Sequence, residues 1–240
     1  MKTLLTAIIV LLPAYTIAQT TVVDVGKANT GGTAPSNLMY VVGGVPMNNA
    51  KYVAIIEGTP FFNESFTRGK IVLSGGRIYT NIKLRLDMMD NTLQYISPEG
   101  EELIATTPIK TVFLRDSDTE KENQFDHSDQ IMTLSKIETG WYQLLDTGVL
   151  RLYKRHHKII RENKPYGSAT VEQYITTSYT YYILINSVFT PIKKIKALPD
   201  MLQDKKTELQ EYINTNSFTG KSDKDYLAVV GYYNRLVAKK

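Results

Sequence analysis

The sequence predicts a mainly β protein of the α+β class: a curved antiparallel sheet, a half-barrel or a sandwich, with a C-terminal two-helix pair packed on it. Three observations predict it. Turn signals recur about every ten residues over 38–114, a spacing that suits antiparallel hairpins and is too short for βαβ units. Residues 82–87, IKLRLD, alternate apolar and charged side chains, the period of a strand with one buried face. Beyond Pro199 the apolar period becomes helical.

Taken in order, the chain opens MKTLLTAIIVLLPAYTIAQT. Lys2, the apolar run 4–12 and Thr16-Ile17-Ala18 have the order of a secretory signal, expected over residues 1–18 and removed on export. Pro13 ends the apolar run well short of the roughly 20 residues that span a bilayer. No later stretch is apolar enough to serve, so no transmembrane segment is expected after cleavage. Residues 19–37, rich in Gly, Thr and Asn, are expected to form a flexible arm. The β domain is placed at 38–198, and the helical pair at 199–240 joins it in one unit.

Within the β domain, LMYVV ends at Gly43-Gly44 and KYVAII at Gly58-Thr59-Pro60. KIVL, the turn Ser74-Gly75-Gly76, RIY and IKLRLD follow; Asp90-Asn91 then turns the chain into TLQYI, and ELIA and IKTVFL complete a meander. Residues 115–130 read as a polar, mainly acidic loop. A second sheet region comprises IMTLSKI, WYQLL and VLRLYKRHHKII, and then SYTYYILINSVF, a long strand or a hairpin. Pro199 and Asp200 can open a helix striped by Leu202, Leu209, Tyr212 and Ile213. Ser222 and Asp225 have capping-box spacing ahead of a second stripe, Tyr226, Val230, Tyr233 and Val237.

Composition narrows the chemistry. With no cysteine, disulfides and thiolate metal sites are excluded, and an exported chain without staples points to a bacterial envelope. Residues 1–150 carry 12 Lys and Arg against 16 Asp and Glu, while 151–240 carry 16 against 8, so the basic surplus lies in the C-terminal part. Asp126-His127-Ser128-Asp129 sets one imidazole between carboxylates, yet no second histidine cluster completes a metal site, and His156 and His157 must point to opposite faces of a strand. Asp116-Ser117-Asp118 starts like a calcium loop but lacks its central glycine and its glutamate at the twelfth position. No GxSxG elbow or phosphate-cradling glycine loop occurs, and no catalytic residue, metal or cofactor is assigned.

The strongest surface signal is RLYKRHHKIIR, residues 151–161. Arg151, Tyr153, Lys154, Arg155, Lys158 and Arg161 could hold an anionic group through charge-assisted bonds while the ring stacks. The bland alternative is a strand whose charges keep it soluble and guard its edge. The 16 tyrosines divide similarly between packing and recognition of glycan or peptide faces. An outer-membrane barrel is disfavoured, since its strands alternate over about 9 to 11 residues, whereas the clean beat here lasts from 82 to 87.

The run EGTPFFNESFTRGKIVLSGGRIYTNIKLRLDMMDNTLQY, with the C-terminal DKKTELQEYINTNSF and DYLAVVGYYNRL, resembles segments of uncharacterised exported proteins of Gram-negative bacteria. The resemblance implies export, to the periplasm or outside the cell, and a single-unit architecture. It implies no activity. The function expected is a non-catalytic envelope protein that binds or scaffolds another envelope component, its partner an envelope protein, an anionic lipid or a glycan; no nucleic acid is expected. The alternatives are a carboxylate-dependent hydrolase, marked by two carboxylates converging in a polar cleft, and a periplasmic carrier of lipid or acyl ligands, marked by a dry apolar groove.

Overall fold

The computed structural model describes residues 21–25, 42–47, 52, 54–116, 119–164, 166–167 and 171–238. The expected signal lies outside them. The strands are β1 (Val22–Asp24), β2 (Gly44–Pro46), β3 (Ile55–Glu57), β4 (Thr67–Leu73), β5 (Ile78–Asp87), β6 (Thr92–Ile96), β7 (Glu102–Ala105), β8 (Ile109–Arg115), β9 (Glu122–His127), β10 (Trp141–Asp146), β11 (Arg151–Asn163), β12 (Glu172–Ile185) and β13 (Val188–Ile192). All belong to one open sheet in the order β13-β12-β11-β10-β9-β8-β4-β5-β6-β7-β2. Pairing is antiparallel except for β1 along β5 and β3 along β12, both parallel. Three helices follow: α1 (Leu198–Met201), α2 (Lys206–Thr215) and α3 (Asp223–Ala238). The expected mainly β fold is therefore present as a single sheet carrying a helix pair.

The IKLRLD beat starts where it does because of a bulge. Gly69 faces Ile82 and Lys70 faces Thr80, leaving Asn81 as the extra residue, with φ of 62°. Tyr79 and Ile82 are thus both buried although three apart, and only after the bulge do Ile82, Leu84 and Leu86 run cleanly inward. Lys83 is exposed, but Arg85 is tucked between the rings of Phe61 and Phe66, 4.0 and 4.1 Å from their centroids.

The sheet curls tightly. Four strand spacings separate β10 from β5, about 19 Å if the sheet were flat. Trp141 at the start of β10 nevertheless donates its indole N–H to the carbonyl of Asn91, in the turn that follows β5, at 3.1 Å. The residues before β4 bridge the remaining opening: Phe61 pairs with Asp87, while Lys158 of β11 donates to the carbonyls of Thr59 and Phe61 at 2.8 and 2.6 Å.

Two hydrophobic clusters share the inner face. One gathers Ile71, Tyr79, Leu84, Leu86, Tyr95, Leu114, Phe125 and Trp141 inside the curl. The other joins Leu152, Tyr181 and Ile183 to Leu209, Ile213, Tyr226, Val230 and Tyr233, so the helices seal the β11–β13 end of the same face. On the outer face, Tyr142, Tyr153, Leu184 and Phe189 form a smaller cluster roofed by Ile131 and Ile137.

Three local expectations change, and one left open is resolved. Residues 122–127, expected within a loop, are the central strand β9. Residues 131–137, expected as a strand, form no regular element and supply the roof just described. Val22–Asp24, within the expected arm, pairs with β5. The tyrosine-rich run is a hairpin, turning at Asn186-Ser187 with φ of 49° and 60°, the left-handed values that a two-residue turn between twisted strands requires.

Candidate functional site

Alternation along β11 splits the predicted basic surface in two. Lys154 and Lys158 point inward with Leu152 and His156, whereas Arg151, Tyr153, Arg155 and Arg161 point outward.

The inner residues make a polar belt between the two apolar clusters. Lys154 lies 2.9 Å from the Asp223 carboxylate at the start of α3, and Tyr181 donates to the same carboxylate. His156 Nε2 sits 2.8 Å from Gln143 Oε1, and Gln143 donates in turn to Asn123 Oδ1 at 2.8 Å. An amide oxygen only accepts, so the neutral imidazole carries its proton on Nε2. Burial, reinforced by Lys154 and Lys158, pushes the His156 pKa down to about 3. Asp223 titrates below the usual carboxylate range; burial opposes this, but the hydrogen bonds from Tyr181 and Lys154 outweigh it. These groups fasten helix to sheet and sheet to itself.

Nearby, Tyr52 donates to Asp87 at 2.8 Å and lies 3.1 Å from Asp90. Two carboxylates therefore converge, but Asp87 is 1% exposed and its second oxygen accepts the N–H groups of Met89 and Asp90. The pair locks the turn that ends β5. Burial and both carboxylates raise the Tyr52 pKa well above that of a free phenol.

The outer face has an open cleft of about 550 Å³. Its lining includes Lys110 and Thr111 of β8, Gln124 and Asp126 of β9, and Arg151 and Tyr153 of β11. Asp126 Oδ1 accepts from Thr111 Oγ1 at 2.9 Å and from Gln124 Nε2 at 3.0 Å, while Oδ2 accepts from the Tyr153 hydroxyl at 3.2 Å. Burial and the Asp126 carboxylate push the Tyr153 phenol up to about 12, so it remains a donor. Lys110 and Arg151 are exposed, as are the apolar Val149 and Met132 of the same lining.

The cleft is held from behind. Asn234 of α3 accepts from Leu150 N–H and donates to Leu150 C=O, both at 2.9 Å, pinning the β10–β11 turn. Gly148 permits this approach: a Cβ there would fall 2.3 Å from Asn234 Nδ2. Opposite lies the Asn186-Ser187 turn, which also lines the cleft.

Of the six predicted residues, the structure thus brings Arg151 and Tyr153 to the cleft. Arg155 is half-buried beside Tyr142 and Glu138, and Arg161 is exposed further along the hairpin. Thr111, Gln124 and Asp126 were missed, although Asp126 belonged to the DHSD motif. That motif does not act as a unit: Asp126 faces outward beside Thr111, whereas His127 faces inward against the Trp141 ring at 5.0 Å. The calcium-like loop falls partly outside the described residues, and Asp116 caps the N–H of Thr119 at 2.8 Å. Among the described residues, no group of three or more His, Cys, Asp or Glu is placed to hold a metal, and no helix is long and apolar enough to cross a membrane.

Comparison with protein-family models, curated proteins and solved structures finds no match to this chain.

Proposed function

We propose that this chain is a non-catalytic binding protein exported to the Gram-negative envelope, and that its outer-face cleft holds an acidic glycan of that envelope. The observation that carries the reading is the graded chemistry of the cleft. On its floor, the Thr111 and Tyr153 hydroxyls and the Gln124 amide donate to the Asp126 carboxylate, which leaves their oxygens as acceptors and the second Gln124 N–H as a donor for sugar hydroxyls. On its rim, Lys110 and Arg151 suit a carboxylate, sulfate or phosphate substituent, and Val149 offers an apolar surface to the C–H face of a ring.

Binding is favoured over hydrolysis because Asp126 is the one carboxylate among the described lining residues, and both of its oxygens already accept hydrogen bonds; glycoside cleavage takes a pair. Binding is favoured over acyl carriage because the inner face, where a chain would lie, is filled by Leu84, Leu86, Tyr95 and Phe125 and sealed by α2 and α3.

Calorimetric titration with the trimer of galacturonic acid, against the neutral trimer of galactose, tests the reading. The acidic trimer should bind at least about tenfold more tightly, and Lys110→Ala with Arg151→Ala should remove that margin, as expected for charge-assisted bonds. Equal affinity for the two trimers, or an unchanged margin in the double variant, rejects it. Both residues are exposed, so loss of folding does not confuse the result.

A further inference from the structure

Part of the basic surplus of the C-terminal part lies where the end of the sheet meets the helices. Lys193, Lys194 and Lys196 follow β13, and Lys221 and Lys224 lie at the start of α3. The two segments touch: Gly220 sits against Ile195, so close that a Cβ would fall 3.0 Å from the Ile195 Cβ, and its φ of 73° suits glycine. Asp225 fixes the approaching loop by accepting the N–H groups of Thr219 and Gly220 and the Ser222 hydroxyl. Half of the expected capping box is present, the Asp225 N–H donating to Ser222 Oγ at 3.4 Å, while the Asp225 carboxylate serves the loop N–H groups instead of that of Ser222.

Asp225 is the acid within the junction, taken up by the loop contacts just described and by the Thr219 hydroxyl; other acids nearby have partners of their own. Asp200 pairs with Lys206, Glu208 with Lys205 and Asp223 with Lys154, and Asp204 accepts from Tyr233. The five lysines of the junction are exposed, and none makes an ion pair or side-chain hydrogen bond among the described residues. Beside Lys196 lies a hollow of about 400 Å³ whose lining adds the hydroxyls of Ser217 and Thr219 to the apolar Ile213 and Phe218.

We infer that this junction is a docking surface for an anionic phospholipid bilayer. Spread ammonium groups match a plane of phosphates, each adding favourable free energy near an anionic leaflet. The lysine, the Ser217 hydroxyl and the apolar walls of the hollow match one phosphodiester headgroup and the glycerol beneath it. This surface shares no lining residue with the outer-face cleft and stands or falls separately from the reading of that cleft.

Co-sedimentation with vesicles decides the matter. At 0.1 M salt the protein should bind vesicles of phosphatidylglycerol and phosphatidylethanolamine, should not bind phosphatidylcholine vesicles, and should be released as salt rises. Lys194→Glu, Lys196→Glu and Lys221→Glu together should weaken binding by about a hundredfold, given roughly a fivefold effect per lysine before the added repulsion. Lys110→Ala with Arg151→Ala should leave it unchanged. Binding retained by the triple variant, binding equal on phosphatidylcholine, or binding lost in the Lys110/Arg151 variant overturns the inference. Competition by 20 mM inorganic phosphate at constant ionic strength, roughly the upper range for a weak free-anion site, distinguishes a site for free phosphate, which would also overturn it.

Discussion

On the inner face of β11, Lys154, His156 and Lys158 end in partners supplied by other elements: the Asp223 carboxylate, the Gln143 amide and the carbonyls of Thr59 and Phe61. On the outer face of the same strand, Arg151 stands at the rim of a cleft, Arg155 reaches an exposed glutamate, Glu138, and Arg161 projects into water. Cations of one strand thus meet different settings: Arg151 and Arg161 are exposed, whereas the Arg155 side chain, 12% exposed and held by Tyr142 and Thr139 as well as Glu138, is nearly as buried as that of Lys154 at 10%. Buried, each cation must be paired or neutral, because desolvation is costly; exposed, each keeps its charge for solvent or a ligand. The difference teaches that a basic stretch on a strand is two surfaces, and only one of them is available for recognition.

Acid should break the inner face first. Burial holds the His156 pKa at about 3 in the folded chain, against about 6.5 for a histidine in water. The unfolded chain therefore takes up a proton below pH 6.5 that the folded chain refuses until about pH 3. Stability is full above this window and falls through it on acidification, by up to about 1.4 kcal/mol per pH unit. Asp223, whose carboxyl is held below its usual range, adds a loss of the same sign at the acid end. Urea unfolding at pH 7.5, 6 and 5 should show a steep decline for the wild type and a shallower one for His156→Gln; parallel curves would contradict the proposed burial of a neutral imidazole.

Next in size is the link between β11 and α3. Asp223→Ala strands the Lys154 ammonium in a buried site and removes the acceptor of Tyr181, and should cost about 3 kcal/mol by denaturant titration. Lys154→Met should cost less, because Asp223 keeps 37% of its side-chain surface in water and can be hydrated. If the order of the two variants is reversed, the cost belongs to packing of the lysine stem rather than to a stranded charge. The outer face supplies the smallest effect. Arg161→Ala should change stability by less than about 1 kcal/mol, since the residue is exposed; a loss as large as that of Asp223→Ala would erase the distinction between the faces.

Much of this architecture is legible in the residues. Gly and Asn turns, the IKLRLD alternation and the helical stripes mark β4 to β8, α2 and α3, because each carries its period on its own side chains. β9 does not. ENQFDH has one large apolar residue, Phe125, and reads as loop, yet it is central because its polar side chains are used on both faces: Asn123 in the inner belt, Gln124 and Asp126 in the cleft. A strand that is polar for functional or network reasons gives up the pattern by which strands are recognised. The same reasoning that separated His156 from His157 would have separated Lys154 from Arg155, since one period governs both pairs. No periodicity, however, could bring Lys110 and Arg151 to one cleft, because that depends on strand order.

The fold also contains its own optical gauge. Trp141 is the single tryptophan of the chain, 3% exposed, with its indole N–H bonded to Asn91 across the place where the curl closes. Opening that seam would wet the indole and release its hydrogen bond while the strands on either side stayed paired. Tryptophan emission therefore reads the closure of the curl, far-ultraviolet dichroism reads the strands themselves, and a difference between the two transitions would time the uncurling of the sheet against its unfolding.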